Sequence, residues 1–109
     1  MATLLQKLTE TRAAEAERLR AAVREQLRVA LAEILPGTTA IIFGSLTKPG
    51  RFTEDSDVDV ALAEEPPGMS IYQLTALLAE RLGRRVDVVL LPECRFRDKI
   101  LREGETWTP

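Results

Sequence analysis

Apolar residues recur at helical spacing from Leu4 to Leu35, with Leu19, Val23, Leu27, Leu31 and Leu35 at every fourth position among Ala, Glu and Arg. The pattern predicts one long amphipathic helix, with Thr9 to Thr11 as a candidate interruption and Pro36-Gly37 as its stop. The period then changes. Thr38 to Phe43 is a short β-branched and aromatic run ending at Gly44, which reads as a strand, and Leu46 to Ser56 is a loop of mixed polarity. Asp57 to Ala63 alternates strictly, so Val58, Val60 and Leu62 share one face of a second strand and Asp57 and Asp59 the other. After the loop Glu64 to Gly68, Ser70-Ile71-Tyr72-Gln73 matches a capping box, and Ile71, Leu74, Leu77, Leu78 and Leu82 form a helical stripe that Gly83 closes. Arg85 to Leu91 is a third strand, apolar on both faces from Val86 to Leu91 as at the centre of a sheet. Pro92-Glu93 is expected to open a last helix, carrying Phe96, Ile100 and Leu101 to the core and ending at Gly104. Glu105 to Pro109 then reads as a loose tail.

The order α-β-β-α-β-α describes an α/β fold with a small mixed sheet flanked by helices. With 109 residues the chain has the size of one domain: a long helix over 4–35, a core over 38–104 and a short tail. A helix separates the second and third strands, so they should run parallel through a right-handed crossover. Parallel strands bring the Asp57 and Asp59 end of one beside the Asp87 end of the other. If the first strand is antiparallel to the second, Gly44-Ser45 arrives at the same rim.

Composition narrows what that rim can do. Histidine is absent, which excludes a Ser-His-Asp triad and a histidine general base. Fifteen Lys and Arg stand against 17 Asp and Glu, giving a net charge of −2 and no basic excess for coating nucleic acid. The single cysteine, Cys94, excludes an internal disulfide or a Cys-rich zinc site and fits a reducing cytosol. No apolar run approaches the ~20 residues of a membrane span and the N-terminus lacks a signal-peptide core, so a cytoplasmic protein is expected.

Taken singly, Asp-x-Asp in a strand is an ordinary polar face, Gly-Ser is a turn, and Asp87 could pair with Arg84 or Arg85. Together, three carboxylates on adjacent strands suit a hard divalent cation such as Mg²⁺, which binds a few carboxylates and keeps positions for substrate phosphates. Cys94 reads as a small helix-face residue, and Phe52 and Trp107 as cover for a core edge or anchors for a partner. Arg18, Arg20, Arg24 and Arg28 alternate with Glu along the first helix and read as a solvated face.

Phe43-Gly44-Ser45, then Asp55-Ser56-Asp57-Val58-Asp59-Val60, then Val86-Asp87-Val88-Val89, resembles the minimal nucleotidyltransferases of the DNA polymerase beta-like superfamily over about Leu27 to Gly104. The resemblance implies that fold and a nucleotidyl transfer in which a hydroxyl attacks the α-phosphate of a nucleoside triphosphate. It implies that Asp57, Asp59 and Asp87 hold Mg²⁺, two ions in all, that Asp87 also helps deprotonate the acceptor, and that Gly44 and Ser45 hold the triphosphate. Eleven residues lie between Ser45 and Asp57, one more than the family's usual spacing, so a one-residue bulge is expected. The basic residue that often follows Gly-Ser is represented by Lys48 or Arg51, either of which could contact the triphosphate or remain a solvated loop cation.

Relatives that act on antibiotics or RNA carry an added substrate domain. The small members are similar to antitoxins that inactivate a HEPN-type ribonuclease partner by adenylylating a tyrosine. The resemblance therefore implies AMP transfer from ATP to such a toxin. A non-catalytic antitoxin that neutralises by contact, and a stand-alone enzyme for a small molecule or nucleic acid, are the alternatives; self-association is left open.

Overall fold

A computed structural model describes residues 3–109. The chain forms α1 (Leu4–Ile34), β1 (Ala40–Phe43), a 3-10 turn (Gly44–Thr47), β2 (Val58–Leu62), α2 (Ile71–Leu82), β3 (Val86–Leu90), a second 3-10 turn (Leu91–Glu93), α3 (Arg97–Glu103) and β4 (Glu105–Trp107). The strands make one sheet in the order β3-β2-β1-β4, with β2 and β3 parallel and β1 antiparallel to both β2 and β4. The mixed sheet flanked by helices is thus the expected α/β fold, extended by one strand.

Both long helices start at a capping box. Thr3 and Gln6 exchange hydrogen bonds at the head of α1, as Ser70 and Gln73 do at the head of α2, satisfying amide groups that the helices leave unpaired. Helix α1 is not interrupted at Thr9 to Thr11. The hydroxyls of Thr9 and Thr11 donate back to the carbonyls of Leu5 and Lys7, so both residues are accommodated within the helix. The fourfold stripe does what its spacing predicts: Val23, Leu27, Leu31 and Leu35 are buried, with Leu19 packed at their edge. Leu4 and Leu5, by contrast, are exposed, on the part of α1 that precedes this core.

Alternation along the strands divides the sheet into two unequal faces. Ala40, Ile42, Val58, Val60, Leu62 and Val86 face α1 and α2 and form the main core. Ile41, Phe43, Ala61 and Val89 face the other way, against a small cluster made by Leu91, Cys94 and Ile100. Since full burial of a Leu or Val is worth about 1.5–3 kcal/mol, the first face carries most of the stability and the second stays thinly covered.

Several expectations need correction towards the C-terminal end. β3 is an edge strand, which is why Val88, Val89 and Leu90 are only half-buried despite their apolar run. Pro92-Glu93 does not open the last helix: it closes a 3-10 turn, and α3 begins four residues later at Arg97. The delay leaves room for seven helical residues, of which Ile100 alone is buried, while Phe96 and Leu101 are exposed and Cys94 lies in the link rather than on a helix.

Nor is the end of the chain a loose tail. Glu105 to Trp107 pairs with β1, Ile42 opposite Glu105 and Ala40 opposite Trp107, and the Gly37 amide donates to the Pro109 carbonyl. Gly104 makes this docking feasible, because a Cβ there would stand 2.5 Å from Ile41 Cγ2 and 2.6 Å from the Ile100 carbonyl oxygen. The solvated-face reading of the α1 arginines fails for two of them. Arg24 reaches across to Glu105, Nη2 to Oε2 2.7 Å, and lies over the Trp107 ring, while Arg20 and Arg24 both donate to the Leu46 carbonyl.

The hydrogen bonds from Arg24 hold the Glu105 carboxyl below the ordinary carboxylate range, against a smaller opposing effect of burial and with help from the Trp107 indole N–H. A lowered pKa contributes stability above the ordinary value of 4.5 that is lost as pH falls through the lower folded-state value. Glu105→Gln should therefore destabilise the protein by about 0.5–1 kcal/mol at neutral pH, a figure already reduced for solvent screening. In urea titrations at several pH values, its difference from the wild type should close below pH 4.5.

Candidate active site

The thinly covered face carries the acidic residues. Phe43, Asp59 and Asp87 stand in register across three strands, Phe43 opposite Asp59 in the antiparallel pair and Asp59 beside Asp87 in the parallel pair. Asp57 precedes β2 by one residue and shares the face of Asp59 by alternation. Asp57, Asp59 and Asp87 are therefore gathered on one rim, as their spacing suggested. None is fully buried, and Asp59 lies between the other two. Desolvation first, then the charges of Asp87 and Asp57, raise its pKa to about 6, while Arg85 acts in the opposite sense.

Arg85 is the local counter-charge. Its Nε lies 3.7 Å from Asp57 Oδ2 and 3.8 Å from Asp87 Oδ1, in a side chain that is otherwise exposed. Arg84 does not join it: its Nη1 donates to the Ser56 carbonyl at 3.0 Å and its guanidinium stacks over Phe52. Phe52 is buried, so of the two readings of that residue the core cover is the one realised. The long loop between Ser45 and Asp57 is thereby tied down at Phe52 and Ser56.

Gly44 meets the rim directly. Its φ is +77°, a conformation that side chains rarely adopt, and a Cβ on it would collide with Asp59 Oδ2. Glycine is required twice over, by the backbone and by the approach of the carboxylate. The turn that follows is fixed from beneath, where Leu46 is fully buried and its carbonyl accepts from Arg20 Nε at 2.9 Å and Arg24 Nη1 at 3.2 Å. The two arginines had no legible signal in the sequence, where they alternate with Glu like any solvated pair.

The loop cations separate. Lys48 lines a cavity together with Gly44 and Thr47, whereas Arg51 is exposed and does not line it. Ser45 is half-buried beside Gly44.

The sequence pattern of the family described as Polymerase beta, Nucleotidyltransferase matches residues 30–107. The chain belongs to this family. The nucleotidyltransferase fold is shared with solved structures. One, described as a candidate minimal nucleotidyltransferase, is 28% identical, with 79% of this chain and 93% of that one covered and a TM-score of 0.61. Another, a crystal structure of a toxin-antitoxin with AMP-PNP, is 23% identical, with 78% and 73% covered and a TM-score of 0.59. Among curated proteins, none matches the chain. No helix of the chain, among the described residues, is long and apolar enough to cross a membrane.

Nucleotidyltransferases use divalent cations, and the donor set here is chemically suited to one: hard carboxylate oxygens, on one rim, with mutual repulsion that a cation would relieve. Among the described residues no three acidic side chains are yet drawn together closely enough to enclose an ion. Arg85 stands between Asp57 and Asp87, where its charge offsets part of their repulsion.

Relief of this repulsion should be measurable as stability. Asp59→Asn is expected to stabilise the protein by about 1 kcal/mol in chelator, since a neutral amide avoids the cost of half-burying a charge and removes the repulsion from Asp87 and Asp57. Thermal melts in EDTA check it; a lower melting temperature would instead mark Asp59 as a structural residue.

Proposed function

We propose that the protein transfers AMP from ATP to a hydroxyl of a partner toxin, a tyrosine of a HEPN-type protein, and so acts as an antitoxin. The observation that carries the reading is the contact of the Gly44 turn with Asp59, in register with Asp87. It sets a backbone able to approach phosphate directly against carboxylates able to hold the metal and take a proton. The similarity to a toxin-antitoxin structure with AMP-PNP supports both the nucleotide and the class of partner.

In this reading Gly44 and Ser45 hold the triphosphate through the turn's N–H groups and the Ser45 hydroxyl, with Lys48 beside them. Asp57, Asp59 and Asp87 hold Mg²⁺, which when bound supplies positive charge to the attacking and leaving oxygens. The acceptor hydroxyl bonds to the α-phosphorus as the bond from that phosphorus to the bridging oxygen breaks. Pyrophosphate leaves with the electron pair. Asp87, on the less encumbered edge strand, accepts the hydroxyl proton. Arg20 and Arg24 are positioning residues, fixing the turn through the Leu46 carbonyl.

Intact-mass spectrometry of the co-expressed complex with ATP and Mg²⁺ tests the reading, because each AMP transferred adds about 329 Da to the partner. The gain should vanish with Asp57→Asn while the complex persists. A tightly bound, neutralised partner that gains no mass with any of the four nucleoside triphosphates would overturn it in favour of neutralisation by contact.

Asp87→Asn separates binding from chemistry. Its transfer rate should fall by about 100-fold or more, as expected for loss of a general base, while ATP affinity changes only a few-fold. Single-turnover labelling beside calorimetry measures both, and an unchanged rate would remove Asp87 from the proton transfer.

A further inference from the structure

The cavity that Lys48 lines has a volume of about 270 Å³ and runs from Phe43 and Gly44 to Phe96, Lys99 and Ile100. It adjoins the carboxylate row, since Phe43 stands opposite Asp59 and Gly44 touches that residue. Its walls are mostly apolar and carry one carboxylate, Glu103, against two lysines; Lys48 and Lys99 are both exposed and, among the described residues, neither forms an ion pair. Phe96 is 67% exposed. An aromatic ring left this open beside a cleft contributes little to the core and is available to a planar ligand.

A larger cavity, about 700 Å³, lies between α1 and the end of the chain, yet it is chemically closed. Its arginines, Arg20, Arg24 and Arg28, are already engaged by Glu17, Glu105 and Glu25. An anion there would have to break three ion pairs. The smaller cavity offers unengaged cations beside an exposed ring.

A flat apolar ring tethered to a polyanion is the ligand chemistry that matches an aromatic wall, two lysines and an adjoining metal-type carboxylate row. The volume is below the roughly 300–1,000 Å³ of sites that enclose a whole drug-sized molecule, so it encloses part of a nucleotide. We infer that this cavity is the nucleobase subsite, with Phe96 stacked on the base and Lys99 neutralising phosphate charge. The assignment rests on the nucleoside triphosphate reading above. An aromatic side chain of a protein acceptor would also fit the apolar wall, but it brings no anionic charge for the two lysines to neutralise.

Calorimetry on the full chain with Mg²⁺-ATP and with Mg²⁺-tripolyphosphate, which lacks a base, tests the subsite. Phe96→Ala should weaken ATP binding by about tenfold or more while changing tripolyphosphate affinity less than about twofold, and Phe96→Tyr should restore ATP binding, as expected for base stacking. Lys99→Gln should weaken both ligands. Because Phe96 is exposed, its replacement leaves the core intact. Equal weakening of both ligands by Phe96→Ala, or of neither, would overturn the subsite. So would an unchanged ATP affinity with lost labelling of the partner, which would assign the cavity to the acceptor. A wild-type protein that binds tripolyphosphate as tightly as ATP refutes the base subsite alone, whereas one that binds neither refutes the nucleotide reading and the subsite with it.

Discussion

Asp59 and Asp87 are held side by side by the backbone, because the parallel pairing of β2 with β3 puts them in register and the crossover through α2 sets that pairing. Burial first, and then repulsion from the like charges of Asp87 and Asp57, disfavours the charged form of Asp59. The rest of the molecule is arranged so that this repulsion can persist. Val58, Val60 and Val86, immediate neighbours of the aspartates in sequence, are buried on the opposite face under α1 and α2. The strands are fixed by that packing, so the acidic face need not be stable in itself. Strain can be concentrated there because a deep core on the other side of the same backbone offsets it.

The same division of faces explains which parts were legible in the sequence. Strict alternation in Asp57 to Ala63 placed the carboxylates together, and the intervening helix implied parallel strands; both are local patterns with one geometric outcome. Gly44 was legible as punctuation, though its tight approach to Asp59 required the fold. The failures have a common source. β4 has three residues, too few to show a period, and its place beside β1 depends on Gly104 fitting against Ile41 and on Arg24 reaching Glu105. Neither contact has a signature in the chain. β3 looked central because its apolar run is continuous, but at an edge its side chains lack a neighbouring strand on one side, so Val88 and Leu90 lie at the margin of the main core and Val89 against the small cluster.

Phe96 illustrates the cost of reading helical spacing across a proline. A helix begun at Pro92 would have turned Phe96 and Ile100 onto one face. The 3-10 turn at Leu91–Glu93 consumes the first positions instead, and Ile100 alone reaches the sheet. The displaced ring then borders the cavity beside Gly44, where a residue expected in the core becomes part of a surface suited to a ligand.

Helix α1 has two roles that its sequence superimposes. Its Val23-Leu27-Leu31 stripe supplies the floor of the sheet, while Arg20 and Arg24 hold the carbonyl of Leu46, whose side chain is itself in that floor. The glycine turn is thus anchored by side chain and backbone to one rigid element, and the loop after it is anchored separately at Phe52, under Arg84. Between these anchors Lys48 to Arg51 and Thr53 to Asp55 are exposed, so the length of the loop can change there without moving either the turn or the start of β2. Loop length is therefore separable from the position of the rim: the turn and the start of β2 are held by contacts to the core, and the intervening solvent-exposed residues contribute little to them.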